Sequence, residues 1–145
     1  MIYITKWFND LNTNERSKLR TYRLFKLEYC TENYLCTKMQ GRYRSAFAKF
    51  RCGVAPIKIE TGRYEGLSSD NRFCFNECCT QNQLIEDEKH VLLKCPLYSH
   101  MRQELFDRAI SFNDGFLDLN DTINLYFCLQ IKTYVFIQPK SAMIF

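Results

Sequence analysis

The residues best suited to chemistry lie between Cys74 and Cys95, in the run CFNECCTQNQLIEDEKHVLLKC. Three thiols and one imidazole stand within it: Cys74, one of Cys78 and Cys79, His90, and Cys95. That is the donor set of a closed Cys3His site, because Zn2+ takes four soft-to-borderline donors in a tetrahedron. Two short segments each supply a pair, Cys74-x3-Cys78 (or Cys74-x4-Cys79) and His90-x4-Cys95, and the spacer is long enough for the chain to turn back. With four protein donors no coordination position is left open, so the expected Zn2+ is structural rather than catalytic. Cys78 and Cys79 are neighbours and cannot both face one ion. The Cys74-x3-Cys78 spacing is nearer that of a tight knuckle, which favours Cys78, with Cys79 as the alternate second ligand. His100 is a spare imidazole five residues past Cys95.

Two other fates are open to these cysteines: disulfides in an exported protein, or thiols that simply pack. The N-terminal run MIYITKWFNDLN has neither a long apolar core nor a small-residue cleavage site, so it does not read as a signal peptide. Eight cysteines in a chain without an export signal favour metal over disulfides. The expected location is intracellular, nuclear or cytoplasmic. No stretch approaches the ~18 consecutive apolar residues of a membrane span.

The 145 residues suit one domain, and a 46% hydrophobic and 15% aromatic composition allows a core. The net charge of +4 is distributed unevenly. From Arg16 to Arg63 twelve Lys/Arg face three acids, a balance of +9, whereas from Tyr64 onward seven bases face eleven acids, a balance of −4. A basic half of this kind is the electrostatic footprint of a phosphate-backbone binder; the alternative is a solvated helix face.

The elements that must position these groups read as mostly α: a small helical domain with an embedded Cys3His zinc knuckle and little β-structure. Residues 1–67 form a basic helical region, 68–112 the zinc-binding module, and 113–145 a C-terminal helix with an atypical tail. Leu19, Tyr22, Phe25 and Tyr29 recur at helical spacing, which predicts a helix from Asn14 to Cys30, with caps at Asn12 to Asn14 and Glu15 in its first turn. A short helix is expected from Glu32 to Met39. In GRYRSAFAKFRC, Gly41 to Cys52, the residues Tyr43, Ala46, Phe47 and Phe50 share one helical face, and Arg42, Arg44, Lys49 and Arg51 occupy the rest. The aromatics suit a core, and the arginine forks suit phosphate. With Arg63, these four are the candidate nucleic-acid-binding residues. Gly53, Pro56, Gly62 and Gly66 argue against helix after Cys52 and leave room for an extended piece at Ile57 to Glu60. A tight turn is expected over Arg72 to Leu84, then a helix from Ile85 with Glu86, Asp87 and Glu88 in its first turn. His90 and Cys95 sit about 140° apart on an ideal helix, so that helix must loosen or end near Lys94. Pro96 supports such an ending. Further helices are expected over Pro96 to Ile110 and Leu119 to Leu129. The tail from Gln130 is apolar and poorly patterned, and its close on Ile144-Phe145 suggests a truncated or mis-terminated product.

Taken together, KLRTYRLFK (Lys18 to Lys26), FRCGVAPIKIETGRY (Phe50 to Tyr64) and NRFC…IEDEKHVLLKCPLYSHMRQELF (Asn71 to Phe106) form one pattern. It resembles the C-terminal region, zinc-binding domain included, of reverse transcriptases from non-LTR, LINE-like retrotransposons, over roughly Trp7 to Leu129. The resemblance implies zinc ligands at Cys74, Cys78 or Cys79, His90 and Cys95. The family usually spaces its first pair as C-x2-C, and CFNECC departs from that. It also implies RNA or DNA as partner, together with the rest of a reverse transcriptase polyprotein. It does not imply catalysis. A polymerase holds Mg2+ on paired aspartates, and no Asp-Asp pair occurs in this chain. The expectation is therefore a non-catalytic, zinc-stabilised nucleic-acid-binding module. A zinc-stapled protein-interaction scaffold and a degenerate retrotransposon remnant stand as the alternatives.

Overall fold

A stripe of aromatics and a glycine stop define the first well-marked helix. The computed structural model describes residues 2–13, 19–24, 26, 28–36 and 38–130. Within it, α1 spans Ile2–Thr13, α2 Asn33–Cys36, α3 Gly41–Cys52, α4 Lys58–Thr61, α5 Glu77–Gln81, α6 Ser99–Phe112 and α7 Asp121–Gln130. In α3 the inward apolar side chains are Phe47 and Phe50, one turn apart. It ends on Gly53 at φ 69°, a left-handed position that favours glycine. Val54 N–H donates to Lys49 O at 2.9 Å, closing the helix end. The mostly helical expectation holds; among the described residues the β-structure is one antiparallel bridge, Phe73 to Ile85.

One apolar cluster joins segments far apart in sequence: Phe47, Phe50, Ala55 and Ile57, then Val91, then Leu125 and Leu129. All three sequence regions contribute to it. Tyr34 meets Phe47 edge-on at 5.1 Å. A second cluster, Ala109, Phe116 and Cys128, seats α7 against α6. Phe116 is fully buried and lies 5.3 Å from Phe106.

Several expected boundaries move, each because a side chain or a neighbouring segment claims the backbone groups. The helix expected from Asn14 to Cys30 is replaced, over its described residues, by a 3-10 turn at Tyr22–Leu24 and bends at residues 28–30. The Lys26 ammonium is buried and donates to Cys30 O at 2.6 Å, an acceptor that a continuing helix would commit to its own ladder. Asn14, Glu15, Arg16, Lys18, Phe25 and the tail beyond Gln130 lie outside the described residues. The extended piece expected at Ile57 to Glu60 is instead one helical turn. Ile57 O accepts from Glu60 N and Thr61 N, both at 2.9 Å, and the buried Glu86 carboxylate accepts Lys58 N–H at 2.6 Å. The helix expected from Ile85 starts at residue 88, because Ile85 is held in the bridge to Phe73. Asp87 then caps it, accepting His90 N–H at 2.6 Å.

Candidate metal centre

Each half of the Cys/His motif is bent into place by local hydrogen bonds. Cys74 follows the bridge at Phe73; its N–H donates to Leu84 O at 2.8 Å, and its carbonyl accepts from the Thr80 hydroxyl at 2.5 Å. The chain then reverses through α5, where Cys79 O accepts from Leu84 N–H at 3.0 Å. Gln83 completes the reversal at φ 52°. On the other side, His90–Lys94 forms a single π-helical turn. Cys95 N–H donates to His90 O at 2.7 Å, an i to i+5 bond. An α-helical register would have turned residues 90 and 95 apart; the wider π turn brings them onto one face. This is the loosening that the spacing demanded. Cys95 leaves it in an extended conformation ahead of Pro96.

The result is a compact set of four buried donors. The ligand atoms of Cys74, Cys79, His90 and Cys95 all lie within 4.8 Å of one another, and these residues could hold a metal ion. Cys74, Cys79 and Cys95 are essentially inaccessible. The Sγ atoms of Cys74 and Cys95 are 3.7 Å apart. A disulfide needs about 2.05 Å, whereas two sulfurs on a tetrahedral zinc, each about 2.3 Å from it, stand roughly 3.8 Å apart. The Nε2 atom of His90 is buried with no hydrogen-bond partner, the condition of a donor turned toward an ion.

The preference for Cys78 is corrected. Cys79 is buried in the cluster and Cys78 is exposed. On a helix as short as α5, adjacent residues point about 100° apart, and the bonds at Leu84 and Thr80 turn Cys79 inward. The remaining ligand expectations, Cys74, His90 and Cys95, are brought together as the motif implied. His100 is exposed on α6.

Burial shifts three of the four donors toward their neutral forms. Burial pushes the Cys74 thiol up to about 12, against the pull of a backbone hydrogen bond at Asn76. Burial, then proximity to Cys95, raises Cys79. Burial lowers His90, the neutral form that ligates, although Asp87 acts in the opposite direction. Buried thiols such as Cys74 and Cys79, which resist ionisation on their own, are the groups a divalent cation would deprotonate.

Sequence reasoning missed Arg102 and Tyr98 beside the centre. Arg102, on α6, donates to Cys95 O. The Glu86 carboxylate lies 3.9 Å from Cys74 Sγ while capping α4. Tyr98 packs on the thiols. No spacing rule reaches Arg102, seven positions beyond its acceptor. Of the acidic run expected in the first turn of a helix, Glu86 and Asp87 accept backbone N–H groups at helix starts. Glu88 instead pairs with Arg20 at 2.5 Å, tying residue 20 to the metal module.

The candidate phosphate-binding residues divide. Arg42 and Lys49 are exposed on α3, and Arg44 is half-buried with a bond to Met39 O at 3.3 Å. Arg63 is partly exposed and reaches Glu60 at 3.2 Å. Arg51 is corrected: it is 3% exposed. It pairs with Glu32 at 2.5 Å and donates to Leu129 O. One turn beyond Phe47, it follows the apolar face inward, its guanidinium 5.3 Å from the Tyr34 ring.

No family model, curated protein or solved structure matches the chain. Among the described residues, no helix is long and apolar enough to cross a membrane.

Proposed function

We propose that this chain is a non-catalytic nucleic-acid-binding module whose fold is stapled by a structural Zn2+, of the kind found in the C-terminal part of LINE-like reverse transcriptases. The observation that carries the zinc is the set of four buried donors, Cys74, Cys79, His90 and Cys95, within 4.8 Å of one another. Three sulfurs with one nitrogen select zinc among abundant divalent ions by softness and tetrahedral preference. Three thiolates on a dication leave one negative charge in excess, and the Arg102 guanidinium on Cys95 O is placed to offset it.

Support for nucleic acid comes from the basic half of the sequence, from the motif resemblance, and from the exposure of Arg42 and Lys49 on α3. Phosphate contacts of this kind give affinity that falls with salt. Binding of labelled RNA and DNA across a salt series tests the reading. Arg42→Glu with Lys49→Glu should abolish most affinity and flatten the salt slope by about one unit per lost contact. Unchanged affinity in that variant, or no binding by the zinc-loaded parent, would contradict it. A second reading, a zinc-stapled protein-interaction domain, is favoured by the exposed aromatics Tyr64, Phe75 and Phe112. It predicts no nucleic-acid affinity at all.

A further inference from the structure

Helix α1 carries more exposed apolar surface than a surface helix needs. Its anchor is Leu11, 4% exposed, yet Tyr3, Ile4 and Phe8 stay open to solvent. Residues 28–29 cross beside it, and Tyr29 stands against Trp7 with ring centroids 5.4 Å apart and planes 67° apart. Phe8 lies 6.4 Å from Trp7 at 54°. The Trp7 ring is thus tilted against both of its aromatic neighbours. Together with Ile4, Thr5 and Glu28 the three rings line an open cleft of about 460 Å3. Neither the metal centre nor the basic face of α3 uses this cleft.

The chemistry of the lining selects a ligand. Tilted aromatic faces offer negative quadrupole density to a cation. A carboxylate at the same cleft adds a full charge, and among the described residues no ion pair engages Glu28. A primary ammonium keeps its water and gains little from such rings. An alkylated ammonium, with diffuse charge and an apolar surface, gains both cation–π attraction and burial. Nucleic acid is disfavoured, because Glu28 opposes a phosphate. A choline headgroup carries a phosphate close behind its ammonium and meets the same opposition. A methylated lysine trails only methylenes, which Ile4 and Phe8 can cover.

We propose that the Trp7–Phe8–Tyr29–Glu28 cleft binds the methylated ammonium of a lysine side chain on a partner protein. Trp7 is the single tryptophan of the chain, so intrinsic fluorescence reports this site directly. The zinc-loaded full chain is titrated with a trimethyl-lysine peptide, with the same peptide unmodified, and with one bearing a neutral tert-butyl isostere. Phosphatidylcholine vesicles form a fourth arm. Saturable change with the trimethyl peptide is expected, with at least about fivefold weaker binding of the other two peptides. Tyr29→Ala should weaken binding by about fivefold or more and Glu28→Gln by a smaller factor, with metal content unchanged in both. Equal response to the tert-butyl isostere would overturn the proposal, since the cleft would then be reading shape and not charge. So would response to vesicles alone, or no saturable change with any peptide.

Discussion

At the residue scale, the buried charges divide the basic half into cations that hold the fold and cations that face outward. Glu32 receives Lys26 at 2.7 Å and Arg51 at 2.5 Å, and both cations are almost wholly buried. Burial pulls the Arg51 guanidinium below its usual range, against the field of Glu32. Arg51→Met removes one of the two cations on the half-buried Glu32 carboxylate and empties the bond to Leu129 O. A loss of about 3 kcal/mol is expected in urea unfolding, the scale for breaking a buried pair. Arg42→Met and Lys49→Met, on the same helix, should each fall within about 0.5 kcal/mol of the parent. Equal stability of all three variants would contradict the partition. The sequence placed Arg42, Arg44, Lys49 and Arg51 together as surface groups, because composition shows charge but not its partner. Glu32 lies 19 positions from Arg51, and Leu129 lies 78. The second metal ligand was obscured for a comparable reason. Periodicity over the five residues of α5 is too short to orient Cys78 against Cys79, and the bonds that do orient them come from Leu84 and Thr80.

At the element scale, legibility followed locality. Helices α3 and α6 carry their own signals, an apolar stripe with a glycine stop or a proline start, and were readable to within a few residues; α7, with a weaker pattern, was placed to within two residues at each end. The π turn at His90–Lys94 was legible as a conflict: two ligands five apart cannot share a face of an α-helix, so the register had to change. Residues 57–61 were misread because their backbone partners include the distant Glu86, and residues 19–30 because the buried Lys26 ammonium takes Cys30 O. A similar distant contact fixes how α4 meets the metal module. The Arg72 guanidinium bonds Ile59 O at 2.7 Å and Leu67 O at 2.7 and 3.0 Å. It can do so because Gly62 has no side chain: a Cβ there would stand 2.7 Å from Arg72 Cγ and 2.8 Å from Lys58 O. Arg72 could swing aside, but the backbone carbonyl cannot. Gly62→Ala should therefore cost about 1–3 kcal/mol and lower the thermal transition. A neutral or stabilising effect would mean that the α4 turn is looser than described.

At the scale of the whole molecule, the metal centre and the core are one unit. Val91, next to the ligand His90 in the π turn, belongs to the same apolar cluster as Phe47, Phe50, Leu125 and Leu129. Glu88 and Glu60 both meet Arg20, at 2.5 and 3.4 Å. With zinc at the centre, as proposed, losing the ion would free the π turn, and with it the packing of α3 and α7. Structural zinc contributes on the order of 10 kcal/mol in small finger peptides, and a domain's entire net stability is about 5–15 kcal/mol. Chelation should therefore collapse helical circular dichroism in one cooperative transition and not merely loosen residues 72–96. A chelated chain that keeps its helical signal and thermal midpoint would separate the centre from the core.

The most direct test of the account is metal content per chain in protein purified without added zinc, measured beside Cys79→Ser and Cys78→Ser. The account predicts about one zinc in the parent, loss of that zinc in Cys79→Ser, and full retention in Cys78→Ser. Folded, soluble parent protein without metal, or zinc lost from Cys78→Ser but kept in Cys79→Ser, would contradict it.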